Sequence, residues 1–88
     1  MDVYVLAVFR SRTQTTLFER LLKSYNIPCY VINTPDQLKV GCSVAVKIAP
    51  NHLDVALRLF SRRRLDSFVG FYKVVKTNGR TAIMPITH

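Results

Sequence analysis

The sequence predicts an α+β domain in which two helices lie on one face of an antiparallel sheet. Three observations carry this. Two amphipathic helical stretches separate four β-rich runs, in the order strand, helix, strand, strand, helix, strand. The run from Val3 to Phe9 is almost continuously apolar, as a central strand covered on both faces requires. Asn78-Gly79 is a two-residue hairpin turn that folds a short fifth strand back at the C-terminal end.

The elements follow in order. After the first strand, Ser11 and Gln14 match the S-x-x-Q capping box, each side chain placed to satisfy a free backbone N–H. Leu17, Phe18, Leu21, Leu22 and Tyr25 then recur on one face of a helix. Asn26 can end that helix in a left-handed cap, and Pro28 prevents its return. Cys29 to Asn33 reads as the second strand, and Thr34-Pro35-Asp36 is turn chemistry. A loop runs to Gly41. Ser43 to Ile48 alternates cleanly as the third strand, with Val44, Val46 and Ile48 toward the helices. Pro50-Asn51 opens the second helix, whose buried stripe is expected at Leu53, Ala56, Leu57 and Phe60. Phe68 to Val75 is the fourth strand, and Thr81 to Ile86 the fifth, with Pro85 suited to an edge. This order is the ferredoxin-like βαββαβ plan with a C-terminal hairpin strand. Residues 1–88 form one domain, with a core over 3–75 and a hairpin extension over 76–88.

Eighty-eight residues leave room for one two-layer core, and a hydrophobic fraction of 49% argues for a folded globule over disorder. No apolar run approaches the ~20 residues of a membrane-spanning helix. The N-terminal residues lack the basic leader of a secretory signal, so a reducing cytoplasm is expected and the two cysteines do not read as a disulfide framework. Thirteen Lys and Arg against five Asp and Glu give a formal charge of +8, which favours anionic partners.

The topology gathers five features at one edge of the sheet. They are the start of the first helix (Arg10, Ser11, Arg12, Thr13), the turn at Thr34-Pro35, the pair Gly41-Cys42, the arginine run Arg62 to Arg64, and Ser67. Cys42 is thereby placed near a helix N-terminus and several arginines, conditions that stabilise a thiolate. Gly41 leaves room for a partner or substrate backbone to approach. Cys29 begins the second strand at the opposite edge, about 15 Å or more away, beyond the ~7 Å Cα separation a disulfide tolerates. It reads as a small buried hydrophobe. The arginine run reads either as a solvated helix end or as an attractor for an anionic substrate or acidic partner.

The segments Phe9-Arg10-Ser11, Glu19 to Lys23, Ile27-Pro28, Thr34-Pro35 and Gly41 to Ile48 follow one another in a familiar order. Over roughly residues 3 to 75 the chain resembles the Putative Se/S carrier protein-like family of small bacterial domains. The resemblance implies that Cys42 holds sulfur or selenium as a persulfide or its selenium counterpart. The implied partners are a cysteine desulfurase and a sulfur- or selenium-using acceptor protein. Arg10 and Arg12 would then give electrostatic support, and Ser11 capping and anion contact. The family commonly reads Cys-Gly where this chain has Cys42-Ser43, with its glycine ahead of the cysteine.

A stand-alone enzyme is poorly supported. The acidic residues are scattered, His52 and His88 have no partner in sequence, and no zinc spacing, phosphate-binding glycine loop or dinucleotide fingerprint is present. No metal or cofactor is expected. Two other readings remain. One is an RNA-binding module, suggested by the charge, the fold plan and the faint aromatic segment Gly70 to Lys73, although the third strand carries no aromatic residue. The other is a homodimeric interaction domain pairing through the sheet face away from the helices, where Tyr4, Leu6 and Val8 can fall.

Overall fold

A computed structural model describes residues 2–39, 41–63 and 65–86. Its elements are β1 (Asp2–Phe9), α1 (Arg12–Ser24), β2 (Cys29–Asn33), β3 (Val44–Ile48), a 3₁₀ turn (Pro50–His52), α2 (Leu53–Ser61), β4 (Phe68–Thr77) and β5 (Arg80–Ile86). The five strands form one sheet in the order β2-β3-β1-β4-β5, and every neighbouring pair is antiparallel. The expected α+β class, with a five-stranded antiparallel sheet and two helices, is what the chain forms.

β1 is central because it is apolar on both faces. Val5, Ala7 and Phe9 join Phe18 and Leu22 of α1, Ala56 and Leu59 of α2, and Val46, Ile48 and Phe71 in the core beneath the helices. Tyr4, Leu6 and Val8 point the other way, into a second cluster with Ala45 and Val74. Burying a side chain of the Val, Leu or Phe class stabilises the fold by about 1.5–3 kcal/mol. The helix-side core is unusually aromatic: Phe9, Phe18, Phe60, Phe68 and Phe71 pack with centroid separations from 4.1 to 6.5 Å.

Only half of the expected capping box forms. Ser11 Oγ accepts from the Gln14 backbone N–H at 3.2 Å, as the motif requires. The Gln14 side chain turns away instead and ties α1 to the segment before β4. Its Oε1 accepts from Ser67 N and Ser67 Oγ, while Nε2 donates to Asp66 Oδ1 at 2.7 Å. The C-terminal end follows expectation. Asn26 takes φ 59°, and the Asn26 and Ile27 N–H groups bond back to the Lys23 and Leu22 carbonyls as a Schellman cap.

The buried stripes are shifted from those expected. On α1, Thr15, Phe18 and Leu22 are buried, whereas Leu17 and Tyr25 are about half exposed (49% and 54%). On α2, Ala56 and Leu59 are buried, with Leu53, Leu57 and Phe60 packed at the margin. The apolar sequence stripe is wider than the face the sheet can cover, so its edge residues remain at the surface.

β4 and β5 join through Asn78 (φ 44°) and Gly79 (φ 81°), the two positive φ values a type I′ turn demands. Where the β1 partner jumps from Gly70 to Phe68, Val69 is left as an extra residue at a β-bulge. The sheet face away from the helices is covered in part by the chain itself. Leu38, from the loop between β2 and β3, packs there with Ile32, Val69, Tyr72 and Ile83 over the buried Leu6 and Val8.

Candidate functional site

The end of β1, the first turn of α1 and the loop entering β3 converge on Cys42. Three bonds fix its backbone and that of Ser43. Cys42 N donates to Phe9 O at 2.9 Å, Thr34 Oγ1 donates to Cys42 O at 2.9 Å, and Thr34 N donates to Ser43 O at 2.9 Å. Gly41 makes this docking fit. Its φ is +80°, and a Cβ there would run into Val8 Cγ1 and lie 2.9 Å from the Phe9 carbonyl oxygen. The close approach that a glycine permits is therefore made by β1 of the same chain. The glycine precedes the cysteine because only glycine lets the loop lie this tightly on the strand that positions the thiol.

Cys42 is half-buried. Its Sγ–H donates to Val44 O at 3.1 Å, and Thr15 Oγ1 lies 3.6 Å from Sγ. Thr15 is fully buried and also donates to Ser11 O at 2.9 Å, so one hydroxyl proton has two acceptors within reach. Beside the thiol, Arg12 Nη2 donates to Ser43 Oγ at 3.1 Å, which brings one guanidinium to the adjacent residue. Cys42, with Ser43, Thr34, Asp36 and Lys39, borders an open groove of about 470 Å³.

Of the five expected features, the start of α1 and the turn at Thr34 contact the segment Gly41 to Ser43, and Ser67 meets the start of α1. Arg10 is exposed, and its backbone N–H bonds Ser67 O at 2.8 Å. Ser11 caps α1, Arg12 reaches Ser43, and the turn at Thr34 closes on Cys42 and Ser43. From the arginine run, Arg63 lies along α1 instead, lining a groove with Leu17 and Arg20. Arg64 and His88 lie outside the described residues. Thr15 was not singled out by the sequence, and Thr34 was read only as part of a turn. Thr15, four residues after the cap at Ser11, carried a weak signal, since a threonine there can bond the carbonyl one turn back.

Cys29 is the opposite case. It is buried at the Ile48 end of β3, with Sγ donating to Glu19 O at 3.6 Å. Burial pushes its thiol pKa up, the Glu19 charge adds to that, and Lys23 opposes it. His52 sits in the turn after that same end of β3, its Nδ1 buried without a partner, and cannot serve Cys42. The aromatic segment on β4 divides: Phe71 enters the helix-side core, while Tyr72 lies on the far sheet face. On that face Tyr4 is buried under Lys47, whose Nζ stands 4.5 Å from the ring centroid. Among the described residues, no group of three or more His, Cys, Asp or Glu side chains converges to hold a metal. None of the described helices is long and apolar enough to cross a membrane.

A small antiparallel α+β domain that presents one partly exposed cysteine on a fixed backbone suits the attachment of a small group to sulfur. Residues 4–68 match the family described as Putative Se/S carrier protein-like, and the chain belongs to that family. No curated protein and no solved structure matches the chain.

Proposed function

We propose that this domain carries sulfur or selenium on Cys42 Sγ, as a persulfide or its selenium analogue, on a ferredoxin-like frame. The observed strand order, with both helices on one face, supports that frame. The observation that carries the functional reading is the placement of Cys42. Its backbone is held by β1 and Thr34, its sulfur lies 3.6 Å from Thr15 Oγ1, and the half-buried residue borders an open groove. Family membership supplies the class of cargo.

Transfer requires no external oxidant or reductant. The Cys42 thiol gives up its proton, releasing Val44 O, and its sulfur attacks the outer sulfur of a donor persulfide. A new S–S bond forms at Sγ as the donor's S–S bond breaks. The donor sulfur leaves as a thiolate and takes up the proton. As Sγ ionises, the Thr15 hydroxyl turns from Ser11 O toward it and replaces the lost thiol proton with a donor. Arg12 supplies positive charge at the adjacent residue, with Arg10 and the cap at Ser11 nearby. A cysteine desulfurase would be the donor, and a sulfur- or selenium-using protein the acceptor.

Incubation with cysteine and a cysteine desulfurase tests this by intact-mass spectrometry. The wild type and Cys29→Ser should each gain one reductant-labile sulfur, and Cys42→Ser none. Loading confined to Cys29, or no loading of the wild type either from this donor or from cysteine persulfide, would overturn the carrier assignment.

A further inference from the structure

We infer that the outer face of α1, from Arg12 to Arg20 with Arg63 beside it, is the docking surface for the protein that exchanges the chalcogen with Cys42. The occupant is an acidic protein surface that presents an apolar side chain to the groove at Leu17. The inference rests on the carrier reading of Cys42 and names the recognition face of that same site.

The apolar part comes from a residue the helical pattern alone would bury. Leu17 stands 49% exposed and, with Leu21 and Leu65, lines a groove of about 270 Å³ that Arg20 and Arg63 border. A second groove, of about 380 Å³, shares Leu17 and Arg20 and extends along the helix to Arg12. The two form one continuous strip, at 1.5 Å per residue about 12 Å long from Arg12 to Arg20. Its near end reaches the Cys42 segment, because Arg12 also bonds Ser43, the neighbour of Cys42.

The charge of the strip is uncompensated. Among the described residues, three guanidinium groups line it and no carboxylate lines either groove. The nearest acidic side chains are engaged elsewhere, Glu19 with Lys23 at 3.1 Å and Asp66 with Gln14 at 2.7 Å. Unpaired arginines around an apolar hollow complement a partner with carboxylates around an apolar anchor, an arrangement that speeds encounter and fixes orientation. The walls of the hollow decide between two anionic partners. Nucleic acid gains affinity by stacking bases on aromatic side chains, and this hollow offers leucines. A strip of this size suits a partner that must also leave, as a carrier's partners do.

The test compares two donors on one acceptor cysteine. Sulfur loading of Cys42 is timed with cysteine persulfide and with a persulfide-charged cysteine desulfurase. Wild type is set against Leu17→Ser and the double variant Arg20→Glu, Arg63→Glu. The double variant should slow transfer from the protein donor by about tenfold or more and flatten its salt dependence. Leu17→Ser should slow it at any salt, and transfer from cysteine persulfide should stay within twofold for both. Wild-type rates from the protein donor, equal slowing with both donors, or no transfer from the protein donor to the wild type would each overturn the docking surface while leaving small-molecule loading, and so the carrier reading, intact. No loading from either donor would remove both. Loss of oligouridylate binding in the double variant, with unchanged protein-donor transfer, would reassign the strip to nucleic acid.

Discussion

Replacing Gly41 by alanine tests the reason a glycine stands ahead of Cys42. Two effects add. A φ of +80° costs an L-residue about 1–2 kcal/mol relative to glycine. The new methyl also meets Val8 Cγ1 and the Phe9 carbonyl oxygen, and the latter is backbone that cannot rotate away. Overpacking of that kind costs about 1–3 kcal/mol. The smaller conformational freedom of unfolded alanine returns about 0.4–1 kcal/mol. The net loss is about 2–3 kcal/mol. Unfolding entropy is ~2.1 cal/mol/K per residue, so in a chain of this length the melting temperature should fall by about 10–15 °C. Gly79→Ala is the internal control, since its φ is +81° and nothing lies within 4 Å of the added methyl. It should lose only about 1 kcal/mol, or roughly 5 °C. Thermal and urea denaturation of both variants measures the difference. Equal destabilisation would refute the argument that close contact with β1 dictates the glycine. In Gly41→Ala the Cys42 N–H to Phe9 O bond should also weaken, seen as faster amide exchange at Cys42.

Thr15→Val keeps the shape of the buried side chain and removes the hydroxyl beside Sγ, so sulfur loading of Cys42 should slow about tenfold, while Thr15→Ser stays near wild type. Loading of Thr15→Val at the wild-type rate would remove Thr15 from the mechanism. Gln14→Leu deletes the acceptor of Ser67 N and Ser67 Oγ, and a urea midpoint lowered by about 1–3 kcal/mol is expected, with faster exchange of the Ser67 amide. Cys29 gives a pH signature. Its folded pKa is raised, chiefly by burial, so the stability it confers is fully present below the unfolded value near ~8.5 and is lost as pH climbs through the folded value. Urea midpoints of the wild type should therefore fall more steeply above about pH 8.5 than those of Cys29→Ala, and parallel slopes would contradict the raised pKa.

The sequence was most legible where one residue type has a single physical role. The unbroken apolar run of β1, the cap at Ser11, the left-handed Asn26 and the Asn78-Gly79 turn each express a local rule, and each is found as read. Helix facing was read less well, because a 3.6-residue period marks a broad apolar arc without saying which part the sheet will cover. Leu17 and Tyr25 lie at the edge of that arc, whereas Thr15 is buried because its hydroxyl bonds the helix's own backbone. At the site, chain order alone put Cys42 near the start of α1. The contacts of Thr15 and Thr34 depend on the path of the loop between Asn33 and Val44, and no periodicity encodes that path.

The two cysteines show how position, rather than residue type, separates packing from chemistry. Cys29 pairs with Ile48 at one end of β3, while Cys42 precedes Val44 at the other. At about 3.3 Å per residue the two ends are some 13 Å apart, beyond disulfide reach. Cys29 is enclosed, and its thiol is held neutral by burial and by the Glu19 charge. Cys42 follows a left-handed glycine just ahead of β3, where its backbone is anchored on β1 and the half-buried residue borders a groove. In the carrier role proposed above, an anchored backbone limits the entropy lost on meeting a donor, and a residue at the border of a groove lies within a partner's reach. A carrier needs both properties at one residue. In this chain the loop docked on β1 supplies them together at Cys42.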